Sequence, residues 1–174
     1  SPAFIVIKAA NEFRDKTTAP NEMWQTDFTY LKIIGWGWHY LSTILDDFSR
    51  YVIAWKLCTT MKAEDVTDTL EVALAASGCD QAHVRGAPYH PQTQGKIERW
   101  HQTLKNRILL ENYYLPGDLE AQIGHFIEHY NHHRYHESLE NLTPADVYFG
   151  RGREILEERR RIKRQTLEHR RLQH

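Results

Sequence analysis

Cysteine is scarce in this sequence, because its 174 residues include only two, Cys58 and Cys79. They form no Cys-x-x-Cys pair, so the sequence contains no zinc or disulfide framework, and free thiols fit a reducing cytosol. Long hydrophobic runs are also missing, since no apolar stretch approaches the roughly 20 residues of a membrane-spanning helix. The first residues, SPAFIVIKAANEF, lack a signal-peptide pattern. These absences leave an ordinary globular protein, of a length that typically forms one domain.

Net charge is nearly absent as well, at −1, but the charges are unevenly distributed. Residues 151–174 hold nine Arg or Lys against four Glu, a net charge of +5, and the remainder of the chain is −6. A basic segment attracts a polyanion such as nucleic acid, and Arg159, Arg160 and Lys163 are candidate phosphate contacts. A solvated helix with internal ion pairs explains the segment equally well.

The sequence does contain three strand-like segments followed by helical ones. Residues 23–34, 38–46 and 51–57 are rich in aromatic and β-branched residues with short turns between them, which predicts an antiparallel meander. Apolar residues then recur at helical spacing in 62–77, from 94 onward and in 118–133. Thr143 and Pro144 are typical of a helix start. The expected fold class is mixed α/β.

Two acidic residues are candidates for chemistry. Asp27 lies in the middle of WQTDFTY, a strand-like segment in which an acid is disfavoured. It is either an edge-strand charge that points to solvent or a buried acid that needs a metal ion or a basic partner. Glu98 shares one helical face with Gln102 and Lys105, which by itself fits an ordinary polar face. The preceding loop, RGAPYHPQTQG, has glycines and polar donors that could approach a phosphate backbone.

Two other polar clusters have simpler explanations. Asp46 and Asp47 follow the second strand, and a capping or turn role is favoured over metal binding there. A group of histidines near the end of a predicted helix has no fixed metal-ligand spacing, and a polar helix end explains it better. Its members are His129, His132, His133 and His136.

Four motifs occur together in one order: WQTDFTYLK, YLSTILDDFSRYVIAWKL, YHPQTQGKIERWHQTLKNRI and HYNHHRYHESLENLTPADVYFG. They resemble the integrase catalytic core of bacterial insertion-sequence transposases, which is similar to retroviral integrases, over about residues 15–150. The resemblance implies a ribonuclease H-like fold with a mixed sheet flanked by helices. It divides the chain into a linker from an absent upstream domain (1–18), the catalytic core (19–150) and a basic helical tail (151–174).

The same resemblance implies metal-dependent cleavage of transposon DNA ends and their transfer into target DNA. Its D-D-E triad holds two Mg²⁺ or Mn²⁺ ions, and the first acid matches Asp27 and the glutamate matches Glu98. Lys105 matches a position that grips DNA near the reacting phosphate. Gln92, Gln94, Lys96 and Arg99 are further expected DNA contacts. The implied partners are double-stranded DNA and further copies of the chain, and no membrane is involved. The implied location is the cytoplasm of a bacterium, at the nucleoid when the protein acts on DNA.

The second aspartate of the triad has no match in this sequence. In relatives it ends a strand after the first helix and is usually followed by Asn-Gly. Here the connector after Gly78 is short and polar and contains only Asp80, while Asp65 and Asp68 lie in the predicted helix. A strand, the second acid and the following helix are therefore expected to be missing near residues 84–85. Either the printed sequence lacks a segment that the protein has, or the protein itself carries the deletion.

A true deletion would have a chemical consequence. Two divalent ions carry four positive charges, and Asp27 and Glu98 together supply two negative ones, so the chain is expected to be nearly inactive. Two other functions therefore stay open. One is a catalytically inactive DNA-binding or assembly remnant of a transposase. The other is a nuclease of the same fold, which would cleave DNA without joining it.

Overall fold

The computed structural model describes residues 17–79, 84–85 and 95–173, with the backbone alone for 84–85. Its four strands are β1 (Trp24–Ile33), β2 (Gly37–Asp46), β3 (Val52–Cys58) and β4 (Val84–Arg85), in the spatial order β3-β2-β1-β4. The helices are α1 (Ala63–Ser77), α2 (Gly95–Ile108), α3 (Pro116–His132), α4 (Pro144–Tyr148) and α5 (Gly152–Leu172), with a 3₁₀ turn at Glu137–Leu139. The predicted α/β class with a mixed sheet is confirmed.

The three long strands form the predicted antiparallel meander. β1 pairs with β2 in one continuous register, in which Asp27 lies opposite Thr43. The turn between them has Gly35 and Gly37 at φ 85° and 89°, a left-handed backbone that glycine adopts without a Cβ clash. Because side chains alternate along a strand, Gln25 and Asp27 point to the same face of the sheet.

The sequence predicts that one strand of the family's sheet is missing near residues 84–85, but a two-residue strand is found there. Val84 and Arg85 form β4, which pairs in parallel with Trp24 and Gln25 of β1. Strand pairing uses backbone groups, so two residues can pair without the apolar run on which the sequence prediction relied. Neither residue of β4 is acidic, and neither are the two residues that follow it in the sequence. The place beside β1 is therefore filled by a strand that supplies no carboxylate.

Apolar side chains cover the sheet on both faces. The larger cluster joins the sheet to α2 and α3 and includes Trp100 and Ile123, which are almost fully buried. The smaller cluster lies under α1 and includes Trp24, Ile44 and Ala73. The alternation of side chains along β1 therefore directs Trp24 toward α1, and directs the neighbouring Gln25 toward α2.

A buried asparagine links α3 to the start of β3. The Asn131 side chain is 4% exposed; its Oδ1 accepts from the Val52 N–H at 2.9 Å and its Nδ2 donates to the Val52 carbonyl at 3.0 Å. Asn131→Ala would leave both backbone groups without these partners, so it is expected to lower the free energy of unfolding by about 2–3 kcal/mol. Urea unfolding followed by tryptophan fluorescence measures this loss.

The matched control for that prediction is Asn106→Ala. Asn106 is exposed, and its side chain accepts a hydrogen bond from Gln102 at 2.8 Å on the surface of α2. Its replacement is expected to change stability by less than about 0.5 kcal/mol. Equal losses in the two variants would contradict a special role for the buried amide.

The last helix, α5, lies on the surface, and Gly152 is its one buried residue among 21. Its ion pairs stay within the helix, for example between Arg161 and Glu158 at 2.6 Å. The tail therefore has ion pairs within its own helix and also exposes basic side chains to solvent, as both interpretations of the sequence require. Across residues 17–79, 84–85 and 95–173, no helix is both long and apolar enough to cross a membrane.

Candidate active site

Asp27 lies in the middle of β1, and its two carboxylate oxygens have different neighbours. Its Oδ1 accepts a hydrogen bond from the Phe28 N–H at 2.8 Å, and its Oδ2 lies 3.6 Å from Nδ1 of His101 on α2. The Asp27 side chain is 37% exposed, so it is partly open to solvent and also has a basic neighbour. His101 was not predicted. Its place in the apolar row of α2, four residues after Ile97, is the signal that could have identified it.

The first turn of α2 is fixed to the sheet by a polar network under it. The buried Gln25 side chain accepts from the Ile97 N–H at 3.1 Å and donates to Oδ1 of Asp47 at 2.6 Å. Lys96 Nζ donates to both Oδ2 and the carbonyl oxygen of Asp47, each at 2.8 Å. The charge of Lys96 is therefore engaged by Asp47, and its predicted contact with DNA stays a prediction.

Glu98 lies in this fixed turn, between Ile97 and His101, and its side chain is exposed. Arg99 follows it and is exposed too. Because Ile97 and His101 both contact β1 through Gln25 and Asp27, the turn that carries Glu98 is held beside the strand that carries Asp27. The fold thus brings the two predicted carboxylates onto adjoining elements.

The remaining predicted DNA contacts near this turn have different surroundings. Lys105 Nζ lies 4.2 Å from the ring centroid of the exposed Tyr30 on β1, which is a cation–π distance. Its position two turns after Glu98 leaves it on the surface next to β1. Gln92 and Gln94 lie outside the described residues.

The predicted contacts of the tail are all exposed on α5. Arg159 donates to the Asn141 carbonyl at 3.0 Å and lies 5.8 Å from the ring centroid of Tyr135, so it connects α5 to the loop before α4. Arg160 donates to a carbonyl of its own helix. Lys163 is exposed one turn further along.

Asp46 shapes the turn after β2. Its carboxylate accepts from the Ser49 N–H and hydroxyl at 2.8 and 2.6 Å and from the Asn21 N–H at 2.8 Å. Burial raises the pKa of Asp46, although these hydrogen bonds oppose the shift. With Asp47 engaged by Lys96, both acids have the structural partners that a capping role requires. The turn ends at Arg50, which has a left-handed φ of 63°.

A magnesium ion in this site would have Asp27 and Glu98 as its carboxylates. Mg²⁺ keeps several waters and is commonly held by one or two carboxylates, so two carboxylates on adjoining elements are the kind of donor set that one ion requires. Among the residues that the structure describes, no three His, Cys, Asp or Glu side chains are grouped to hold a metal ion. The two-ion site implied by the resemblance is incomplete in this part of the chain.

Two family models, each described as integrase core domain, match this chain at residues 17–86 and 80–144. The chain belongs to the integrase core family. The two matches meet at residues 80–86, between α1 and α2, which is where the sequence lacks the second aspartate. One family match therefore ends, and the other begins, in the connector from which the second aspartate is missing.

Relatives of known sequence match parts of the chain. Transposase InsF for insertion sequence IS3A of Escherichia coli K12 is 40% identical over 57 residues, which is 33% of this chain and 19% of InsF. The Gag-Pro-Pol polyprotein of sheep pulmonary adenomatosis virus is 29% identical over 114 residues, with 52% of this chain and 6% of the polyprotein covered. The match thus spans about a fifth of the InsF length. The match to the polyprotein is 114 residues long, which is more than the 52% of this chain that takes part in it. Within the matched region the polyprotein therefore has residues that this chain lacks.

Solved structures with low identity share the fold. The integrase catalytic core domain of HTLV-2 with magnesium, in its dimeric form, has a TM-score of 0.58 at 19% identity and covers 75% of this chain and 97% of that one. The simian T-cell lymphotropic virus intasome has a TM-score of 0.61 at 19% identity, with 77% and 56% covered. At such identities the likeness establishes the ribonuclease H-like fold.

Proposed function

We propose that the protein containing this chain is a DNA transposase, whose integrase core cuts transposon ends and joins their 3′-hydroxyls to target DNA. Asp27 and Glu98 are its metal-binding carboxylates. The observation that carries the proposal is the fixed first turn of α2, whose Ile97 N–H donates to Gln25 of β1 and whose next turn places His101 3.6 Å from Asp27. A catalytic metal requires ligands held by rigid elements, and this network supplies that rigidity.

The remaining parts of the chain have supporting roles in this proposal. Lys105, Arg99 and the loop residues Gln92 and Gln94 contact the DNA end near the site. The tail, with Arg159, Arg160 and Lys163, adds phosphate contacts without sequence preference. Double-stranded DNA is the substrate, and copies of the chain associate around paired ends in a bacterial cell. The HTLV-2 catalytic core is known in dimeric and trimeric forms.

A second candidate function is a DNA-binding or assembly protein without catalysis. The observation that favours it is β4, which occupies the place beside β1 without supplying an acid. With two carboxylates against the charge of two ions, the second metal would be held weakly. Both candidates share the DNA surface and differ in whether the metal site works.

Metal binding tests the assigned carboxylates without depending on activity. The chain is expected to bind Mn²⁺ weakly, and Asp27→Asn or Glu98→Gln is expected to weaken binding at least about tenfold, because each removes one of two charged ligands. Isothermal titration calorimetry measures the affinity. Asp118→Asn, which removes an acid from the first turn of α3, is the matched control and should bind Mn²⁺ as the parent does. Equal affinities in all four proteins would refute the site.

A further inference from the structure

A small basic cavity lies beside the first turns of α2, formed by parts of the chain that are far apart in sequence. Its volume is about 250 Å³. Four basic side chains line it: Arg50 from the turn between β2 and β3, Lys96 and Arg99 from α2, and Arg134 from the segment after α3. The acidic residue in its lining is Glu137. Basic charge is therefore in excess around the cavity.

Most of this charge is available to a ligand. Lys96 is paired with Asp47 at 2.8 Å. In the ranges that the structure describes, none of Arg50, Arg99 and Arg134 has an ion-pair partner. Arg50 donates a hydrogen bond to the hydroxyl of Ser138, which is neutral and leaves the charge uncompensated. Three guanidinium groups against one carboxylate give a site that attracts an anion.

Two buried aromatic side chains form part of the cavity lining. Trp100 and Tyr130 line it, are 1% and 4% exposed, and meet edge to face with ring centroids 6.2 Å apart. Burial raises the pKa of Tyr130 to about 12, while Arg50, Arg134 and Arg99 act to lower it. The three guanidinium groups thus lie within electrostatic range of one phenol. The effect of the three arginines on Tyr130 agrees with their positions in the cavity lining.

The backbone at Arg50 supports a functional placement. A non-glycine residue at φ 63° is uncommon, and such positions persist only where surrounding contacts hold them. Here the buried Asp46 carboxylate holds the turn through Ser49 at 2.6 and 2.8 Å. This turn directs Arg50 into the cavity lining, next to residues of α2.

We propose that this cavity binds a phosphate group of the DNA backbone, next to the turn that carries Glu98. Guanidinium groups match phosphate oxygens by paired hydrogen bonds, so three arginines around one cavity suit this ligand. The volume lies below the roughly 300–1,000 Å³ of pockets for drug-sized ligands, which fits a phosphate better than a whole nucleotide. The proposal rests on the proposed function for its choice of DNA, and Arg99, adjacent to Glu98, connects the two sites.

DNA binding without catalysis tests the cavity separately from the metal site. A labelled duplex is titrated in EDTA at salt concentrations between about 50 and 200 mM, with fluorescence anisotropy as the readout. The double variant R99Q/R134Q is expected to bind at least about tenfold more weakly and to reduce the slope of log affinity against log salt by about 2. Both arginines are exposed, so their replacement leaves the core intact. Arg134→Lys should retain part of the affinity because it keeps the charge.

The control is Arg107→Gln, which removes one positive charge, against two in R99Q/R134Q, from the exposed side of α2 outside the cavity. It should bind DNA nearly as the parent does, and an equal loss in R107Q and R99Q/R134Q would overturn the proposal. Inorganic phosphate distinguishes the source of the ligand. If phosphate raises the melting temperature of the parent and not of R99Q/R134Q, while DNA binding is equal in both, the cavity serves free phosphate and the DNA assignment is wrong. A failure of the chain to bind Mn²⁺, with DNA binding as expected, would contradict the proposed active site and leave the cavity proposal standing.

Discussion

DNA joining by this chain is expected to be about a thousandfold slower than joining by a chimera that carries a third carboxylate. The chimera replaces residues 79–94 with the longer segment of a transposase in which the second aspartate is present. The added acid would bring a third negative charge to a site that would hold four positive charges with the two divalent ions of the proposed mechanism bound. A thousandfold change corresponds to about 4 kcal/mol of transition-state stabilisation, in the range that a metal ion supplies. Gel analysis of transposon-end DNA joined in the presence of Mg²⁺ measures the two rates.

The control for this prediction is the same chimera with the added aspartate changed to asparagine. It should fall back to the rate of the parent chain, because it has the segment without the charge. Asp27→Asn in the chimera should slow joining at least as far, because it removes one of the other two carboxylates. Joining by the parent at the rate of the chimera would show that a third carboxylate is not needed, and would contradict the assignment.

Trp100→Ala is expected to lower the free energy of unfolding by about 3–5 kcal/mol, the largest stability effect we expect from one side chain. Trp100 is 1% exposed in the larger core cluster, and its ring packs against His101 and Tyr130 with centroids 5.1 and 6.2 Å away. Removal of the indole would leave a cavity between α2, α3 and the sheet. Because total stabilities of small domains are about 5–15 kcal/mol, this loss would remove a large share of the stability. Urea unfolding followed by circular dichroism measures this.

Trp36→Ala is the control for the loss of an indole group in general. Trp36 is 61% exposed in the turn between β1 and β2, so its removal should change stability by less than about 0.5 kcal/mol. A similar loss of unfolding free energy in both variants would contradict the prediction, because burial in the core would then make no difference to the effect of removing an indole.

The elements that carry the candidate site could be predicted from local patterns, and their contacts could not. Asp27 was expected on a strand and Glu98 on a helix, and both are found there, because alternation and helical spacing are properties of short segments. His101 was missed as the neighbour of Asp27, since nothing in its own segment shows which strand its helix will cover. β4 was missed because a two-residue parallel strand depends on a distant partner, β1, and has no pattern of its own.

The sequence by itself determined the family, the order of the three long strands and the helices, and the missing aspartate, because motif order and residue identity do not depend on folding. The tertiary structure alone decided which charges meet. It paired Lys96 with Asp47, placed Gln25 under the first turn of α2, and brought Arg50, Arg99 and Arg134 around one cavity. These contacts join residues far apart in the chain, and the packing of α2 and α3 on the sheet sets their distances. The physical reason is that electrostatic and hydrogen-bond partners are chosen in space, whereas sequence patterns report only neighbours along the chain.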